Sequence, residues 1–312
     1  MSAASGTRAI VAALAANLGI AATKFIAFAL TGSSSMLAES IHSVADSGNQ
    51  ALLLVGGRRA RREATPQHPF GYGRERYIYA FIVSIVLFSV GGLFALYEGY
   101  HKLQHREPIT SWQWVPIVVL VIAIGLEGFS FRTAIEESNK IRGASSWTGF
   151  IRRSRVPELP VVLLEDLAAL VGLVLALFGV GLTLITGSGL WDGIATVAIG
   201  VLLVVVAFIL AIETKSLLIG ESATAEHVGK IESAVLGVGD IERIIHMRTL
   251  HLGPEELLVA LKVAVPSGAQ SDDVARAIDA AESRIRAAVP IARVIYIEPD
   301  IYRAEVSRAG AE

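Results

Sequence analysis

The sequence predicts an α-helical membrane protein with six transmembrane helices, followed by a small C-terminal α+β domain of order αββαβ. Three observations carry this. Of 312 residues, 53% are hydrophobic and only 18% charged, and the mean hydropathy is +0.56, far from the balance of an ordinary soluble domain. Six stretches come near the roughly 20 mostly apolar residues needed to cross the hydrocarbon core. Beyond residue 212 the composition changes to that of a soluble domain.

The spans are expected at about 9–30, 36–55, 77–97, 115–132, 160–185 and 191–212. The first holds Asn17 and Lys24, and a turn at Gly32 and Ser33 leads into the second. A basic, turn-forming loop follows, Arg58-Arg-Ala-Arg-Arg62 and then Pro66-Gln-His-Pro-Phe-Gly-Tyr-Gly73. Trp112 and Trp114 open the fourth span as interfacial anchors. A polar, basic connection over about 136–158 separates it from the fifth span, which contains Glu165 and Asp166; Asp192 stands at the start of the sixth. Arginine is concentrated after spans two and four, so both termini are expected in the cytoplasm.

The C-terminal region reads as a helix at 225–236, strands at 241–250 and 257–265, an amphipathic helix at 271–288 capped by Ser271, and a strand at 293–297. That order suits a cytoplasmic, ferredoxin-like module over 213–302, with a flexible tail at 303–312. Residues 1–212 form the membrane domain, with the lipid bilayer as partner.

Composition also excludes. A net charge of −2 argues against nucleic-acid binding. With no cysteine there is no disulfide or thiolate site, and a transition metal must use His, Asp, Glu or water. Residues 1–7 lack the pattern of a removable signal peptide. No nucleophile with an adjacent base, phosphate loop or HExxH pattern points to an enzyme or a resident cofactor.

The chemistry centres on Glu39 to Gln50, a polar interruption of an apolar region. His42 and Asp46 are four residues apart, which on a helix stacks an imidazole and a carboxylate on one face, as two ligands of one metal ion require. Ionisable groups at membrane depth cost about 2.5 kcal/mol or more each, so they face a cavity or a partner. Should spans two and five face each other, His42, Asp46 and Asp166 supply one nitrogen and two carboxylates to a divalent cation, with Glu165 or water as fourth ligand. Glu165 and Asp166 point about 100° apart, and Asp166 ranks first. Asn17, Asn49 and Glu39 are candidates for the surrounding shell. The competing reading pairs the acidic residues with Lys24 or with arginines at the helix ends.

Ser40-Ile-His-Ser-Val-Ala-Asp46, His68-Pro-Phe-Gly-Tyr-Gly73 and Asp166 with Gly172, set in six spans before an αββαβ domain, together resemble the cation diffusion facilitator family. Leu164-Glu-Asp-Leu-Ala-Ala-Leu-Val-Gly172, Asp192-Gly193 and Arg248-Thr-Leu-His-Leu-Gly-Pro254 look most like its zinc transporter 9 branch. The resemblance implies a homodimeric exporter of Zn2+ or a related cation, exchanging it for protons by alternating access, with the plasma membrane of a prokaryote as the expected location. The family's transport ligands fall on His42, Asp46, Asp166 and Val162. Valine cannot coordinate metal, so Glu165 or water takes its place, or the site differs in strength or selectivity. Positions that bind further zinc in relatives fall on Thr65, His68 and Tyr72 after span two, and on Ile245, Leu261, Tyr296 and Glu298 in the C-terminal domain. Those zinc sites are expected to be absent, leaving His68 structural and the C-terminal domain a dimerisation module. Mn2+, Fe2+ or Co2+ remains an alternative cargo, and a non-transporting membrane scaffold an alternative role.

Overall fold

The computed structural model describes residues 3–106 and 108–303, the side chains of 3–16 and 153 excepted; the tail expected at 303–312 therefore falls, from 304 on, outside the described residues. Two compact units emerge, one of residues 1–58 and 76–215, the other of 59–75 and 216–312.

The first unit is helical: α1 (Ala3–Thr31), α2 (Ser34–Arg59), α3 (Glu75–Val86), a π-helical segment (Leu87–Leu93), α4 (Phe94–Gln104), α5 (Trp114–Arg142), short α6 (Trp147–Arg153), α7 (Glu158–Thr186) and α8 (Leu190–Ile219). Among the described residues, four helical rods are long and apolar enough to cross a membrane: Glu75–Gln104, Trp114–Arg142, Glu158–Thr186 and Leu190–Ile219. The Glu75–Gln104 rod runs through the π-segment without a break. The polar connection expected from 136 is helical as far as Arg142, where Gly143 ends α5 at φ 57°, and contains α6, capped by Ser146.

Small residues let the rods approach closely. A Cβ placed on Gly99 would lie 2.7 Å from Val197 Cγ2, and one on Gly200 would lie 2.8 Å from Leu96 Cγ, so α4 and α8 meet almost backbone to backbone. Asp192, fully buried at the start of α8, accepts hydrogen bonds from the Ser34 N–H at 2.8 Å, the Ser35 N–H at 3.3 Å and the hydroxyls of Ser33, Ser34 and Ser35. Its carboxylate thus sits at the N-terminus of α2, where unpaired amides and the helix dipole favour an anion.

The second unit contains α9 (Ala225–Leu236), β1 (Arg243–Gly253), β2 (Glu256–Ala264), α10 (Ser271–Ala288) and β3 (Ala292–Asp300). The sheet order is β1-β2-β3, with β1-β2 antiparallel and β2-β3 parallel. Leu257, Val259, Leu261 and Val263 alternate along β2 and pack in one core with Ile231 and Val235 of α9 and Ala277, Ala281 and Ile285 of α10. The cap of α10 is Gln270, in extended backbone, and Ser271 is already helical; its hydroxyl supplies no cap, which corrects the sequence expectation. In the 59–75 segment, Thr65 and His68 form a β-bridge and the His68 ring lies 4.7 Å from that of Tyr72.

Candidate metal site in the membrane unit

Five polar residues recur along one side of α2: Glu39, His42, Ser43, Asp46 and Asn49, spaced i, i+3, i+4, i+7 and i+10. All are buried except Asp46, which is 14% exposed. Helical periodicity therefore stacks carboxylates, an imidazole and an amide on a surface that faces other helices and not lipid.

His42 and Asp46 are the least satisfied of these groups. Their Nδ1 and Oδ1 atoms are 3.5 Å apart without forming a hydrogen bond, and both imidazole nitrogens and Asp46 Oδ1 are buried with no hydrogen-bond partner. Such atoms carry a desolvation cost that nothing in the protein offsets. A neutral imidazole beside a carboxylate is a donor pair suited to a divalent cation. The π-segment runs alongside, so that a Cβ on Gly91 would lie 3.9 Å from His42 Nδ1. π-helical turns of this sort gather at functional sites.

The two acidic residues of α7 are both buried and engage different neighbours. Glu165 Oε1 accepts a hydrogen bond from Asn49 Nδ2 on α2 at 2.7 Å, whereas Asp166 Oδ2 accepts one from Ser130 Oγ on α5 at 2.9 Å. The divergence follows from the helical period. Val162 is partly buried in the apolar core.

Glu39 belongs to a different pair. Lys24 Nζ of α1, fully buried, donates to Glu39 Oε2 at 3.1 Å and to Ser43 Oγ at 2.8 Å. On the other side, a Cβ on Gly172 of α7 would lie 2.7 Å from Glu39 Oε1, so any larger residue there would displace the Glu39 carboxylate. Asn17 lines a narrow crevice together with Ile20, Ser43, Asp46 and Glu127.

The sequence candidates thus fall into adjoining groups: His42 with Asp46, Asn49 with Glu165, Glu39 with Lys24, and Asp166 with Ser130. In this conformation, among the described residues, no three His, Asp or Glu side chains lie close enough together to hold one metal ion. Sequence reasoning passed over Glu127 and Ser130, one helical turn apart on α5. The available signal was an ionisable residue inside an apolar span.

Residues 10–219 match the cation efflux transmembrane domain family. Over 233 residues the chain is 34% identical to the mitochondrial proton-coupled zinc antiporter SLC30A9 of Homo sapiens and of Mus musculus, a match covering 74% of this chain and 41% of each relative. It is 28% identical over 249 residues to metal tolerance protein C4 of Arabidopsis thaliana, covering 79% of this chain and 54% of that protein. An uncharacterized transporter of Methanocaldococcus jannaschii matches at 21% identity over 297 residues, covering 94% of this chain and 97% of the transporter. The matched stretch thus spans only about two fifths to one half of the animal and plant relatives.

Proposed function

The chain belongs to the cation efflux, or cation diffusion facilitator, family of membrane transporters and not to an enzyme class, and from that premise we propose that it exports a divalent metal cation, Zn2+ before others, in exchange for protons. The observation that carries this reading is the His42–Asp46 pair, in which both imidazole nitrogens and Asp46 Oδ1 are buried and unpartnered. His42, Asp46 and Asp166 hold the cation, and Glu165 joins when α7 shifts and Asn49 releases it. Ser130 orients the Asp166 carboxylate, while Asn49 holds Glu165 back until α7 shifts.

Residues 1–212 act as the membrane domain, with α1, α2, the α3–α4 rod, α5, α7 and α8 as its six spans. In α2 the polar face itself lowers the hydropathy, as a helix lining an ion path requires. Residues 213–302 act as a cytoplasmic, ferredoxin-like dimerisation domain, and the protein resides in a prokaryotic plasma membrane.

Transport follows from coordination chemistry. With access from the cytoplasm, neutral His42 and ionised Asp46 and Asp166 bind the cation. Rocking of the helices exposes the site to the opposite side, where protonation of His42 removes its lone pair and expels the ion. Return of the proton-loaded carrier completes the cycle.

A second reading, export of Mn2+, Fe2+ or Co2+, is favoured by Val162, because a site with one nitrogen and several carboxylates is harder than one with two imidazoles. Metal uptake into proteoliposomes under a pH gradient tests both. Zn2+ uptake that rises with an opposing proton gradient and is lost in Asp46→Asn supports the first reading. Uptake of Mn2+ in preference to Zn2+ supports the second, and uptake unaffected by the substitution removes the site assignment from both.

A further inference from the structure

We propose that Glu127 of α5 is a ligand of the transported cation, bringing a carboxylate from a third helix to the ion and replacing the donor that Val162 lacks. The inference rests on the reading of His42, Asp46 and Asp166 as the transport site and adds to it a residue outside α2 and α7.

Placement is the first argument. Glu127 and Ser130 are three residues apart on α5 and share a face. Ser130 donates to Asp166 Oδ2 at 2.9 Å, so that face addresses the polar centre and not lipid. Glu127 lines the same narrow crevice as Asp46, Ser43 and Asn17.

The second argument is occupancy. Glu39 is tied to Lys24, Glu165 to Asn49 and Asp166 to Ser130. Asp46 and Glu127 accept no hydrogen bond among the described residues, and Asp46 Oδ1 is buried 3.5 Å from a His42 whose ring nitrogens are themselves unpartnered. An imidazole that is 1% exposed and bonded to nothing, set against one of two uncommitted carboxylates on a shared crevice, is a donor set awaiting a cation. Glu165, the substitute suggested by sequence, must first break a 2.7 Å hydrogen bond; Glu127, on the same crevice as Asp46, has no such bond to break among the described residues.

A like pair of carboxylates with nothing between them is unfavourable, and a divalent cation between them reverses the sign. With Glu127 included, the donor set becomes one imidazole and three carboxylates from α2, α5 and α7. Movement of α5 against α2 then opens or closes the coordination sphere.

The test is equilibrium binding of 65Zn2+ to the full chain in detergent, comparing wild type with E127Q, E127D, D46N and H42A. Thermal unfolding of each metal-free protein is followed in parallel. We expect E127Q, which keeps the shape and removes the charge, to weaken binding at least tenfold at an unchanged metal-free Tm. E127D should recover most of that loss, and D46N and H42A should lose more than E127Q. Wild-type affinity in E127Q with binding lost in D46N overturns the role of Glu127 and leaves the His42–Asp46 site standing. Wild-type affinity in E127Q, D46N and H42A alike overturns the site reading itself. If E127Q lowers the metal-free Tm, E127D decides: binding no better than E127Q overturns the proposal, since a carboxylate at this position is then not what the ion requires.

Discussion

Lys24 and Glu39 place a full ion pair inside the apolar part of the membrane unit, one helical turn from His42. Breaking such a pair from one side leaves an uncompensated buried charge, at a cost of about 3–5 kcal/mol, while replacing both partners is far milder. Lys24→Met should therefore lower the Tm in detergent strongly, and the double variant Lys24→Met with Glu39→Gln should recover most of it. Asn49 offers a finer probe. Asn49 must release Glu165 before that carboxylate can reach the ion, so Asn49→Ala should raise Zn2+ affinity several-fold if Glu165 serves the ion, measured by competition with a fluorescent chelator. At this scale the sequence was legible where residues repeat with helical spacing, as with His42 and Asp46, and where a competing partner was already in view, as with Lys24. Glu127 escaped because a lone glutamate in an apolar run has no periodic companion. Ser130, the neighbour that shows which way its face points, looks like any helix serine until Asp166 is placed against it.

Helix meets helix through glycine on the α4–α8 side, and space there is already exhausted. A bulky side chain forced into packed surroundings costs about 1–3 kcal/mol; Gly99→Leu should lower the Tm accordingly, while Gly125→Leu, with nothing within 4 Å of its Cβ position, should leave it nearly unchanged. The capping of α2 by Asp192 joins residues more than 150 positions apart, so no local pattern could reveal it. In the sheet, Lys262 lies 3.0 Å from both Glu298 and Asp300 on the parallel neighbour β3. A hydrogen bond from Lys262 holds Asp300 below the ordinary carboxylate range, and Asp300 followed by Glu298 raises Lys262. The contribution of Asp300 is thus present above its unfolded value near 3.9 and lost as pH falls through the lower folded value. That of Lys262 is present below its unfolded value near 10.4 and lost as pH rises through the higher folded one. Both groups are solvent-accessible, so the effect is small and salt-sensitive. Protection factors of the β3 amides, corrected for the intrinsic pH dependence of exchange, should fall on acidification at low salt, and Lys262→Ala should remove most of that residual pH dependence.

Across the whole molecule, four of the six apolar stretches read from the sequence coincide with the four rods that, among the described residues, are long and apolar enough to cross a membrane. The α-β-β-α-β order of the C-terminal region is legible in its alternating and amphipathic patterns. Boundaries shifted where polar sequence continued a helix, as at 136–142, because exposed helical turns need no apolar pattern. The π-segment at Leu87–Leu93 was not legible, since no local pattern marks a one-residue widening; its Gly91 and Gly92 lie close against Leu203 and Val204 of α8. Membership in the cation efflux family sets the class of function, and we propose that the polar face of α2 is where within the chain it is carried out. Proton-driven Zn2+ uptake into proteoliposomes of the full chain, with wild type beside His42→Ala, Asp46→Asn and Asp166→Asn, tests that claim most directly. The account predicts uptake that scales with the opposing pH gradient in wild type and falls at least tenfold in each variant; undiminished, gradient-dependent uptake in all three variants would contradict it.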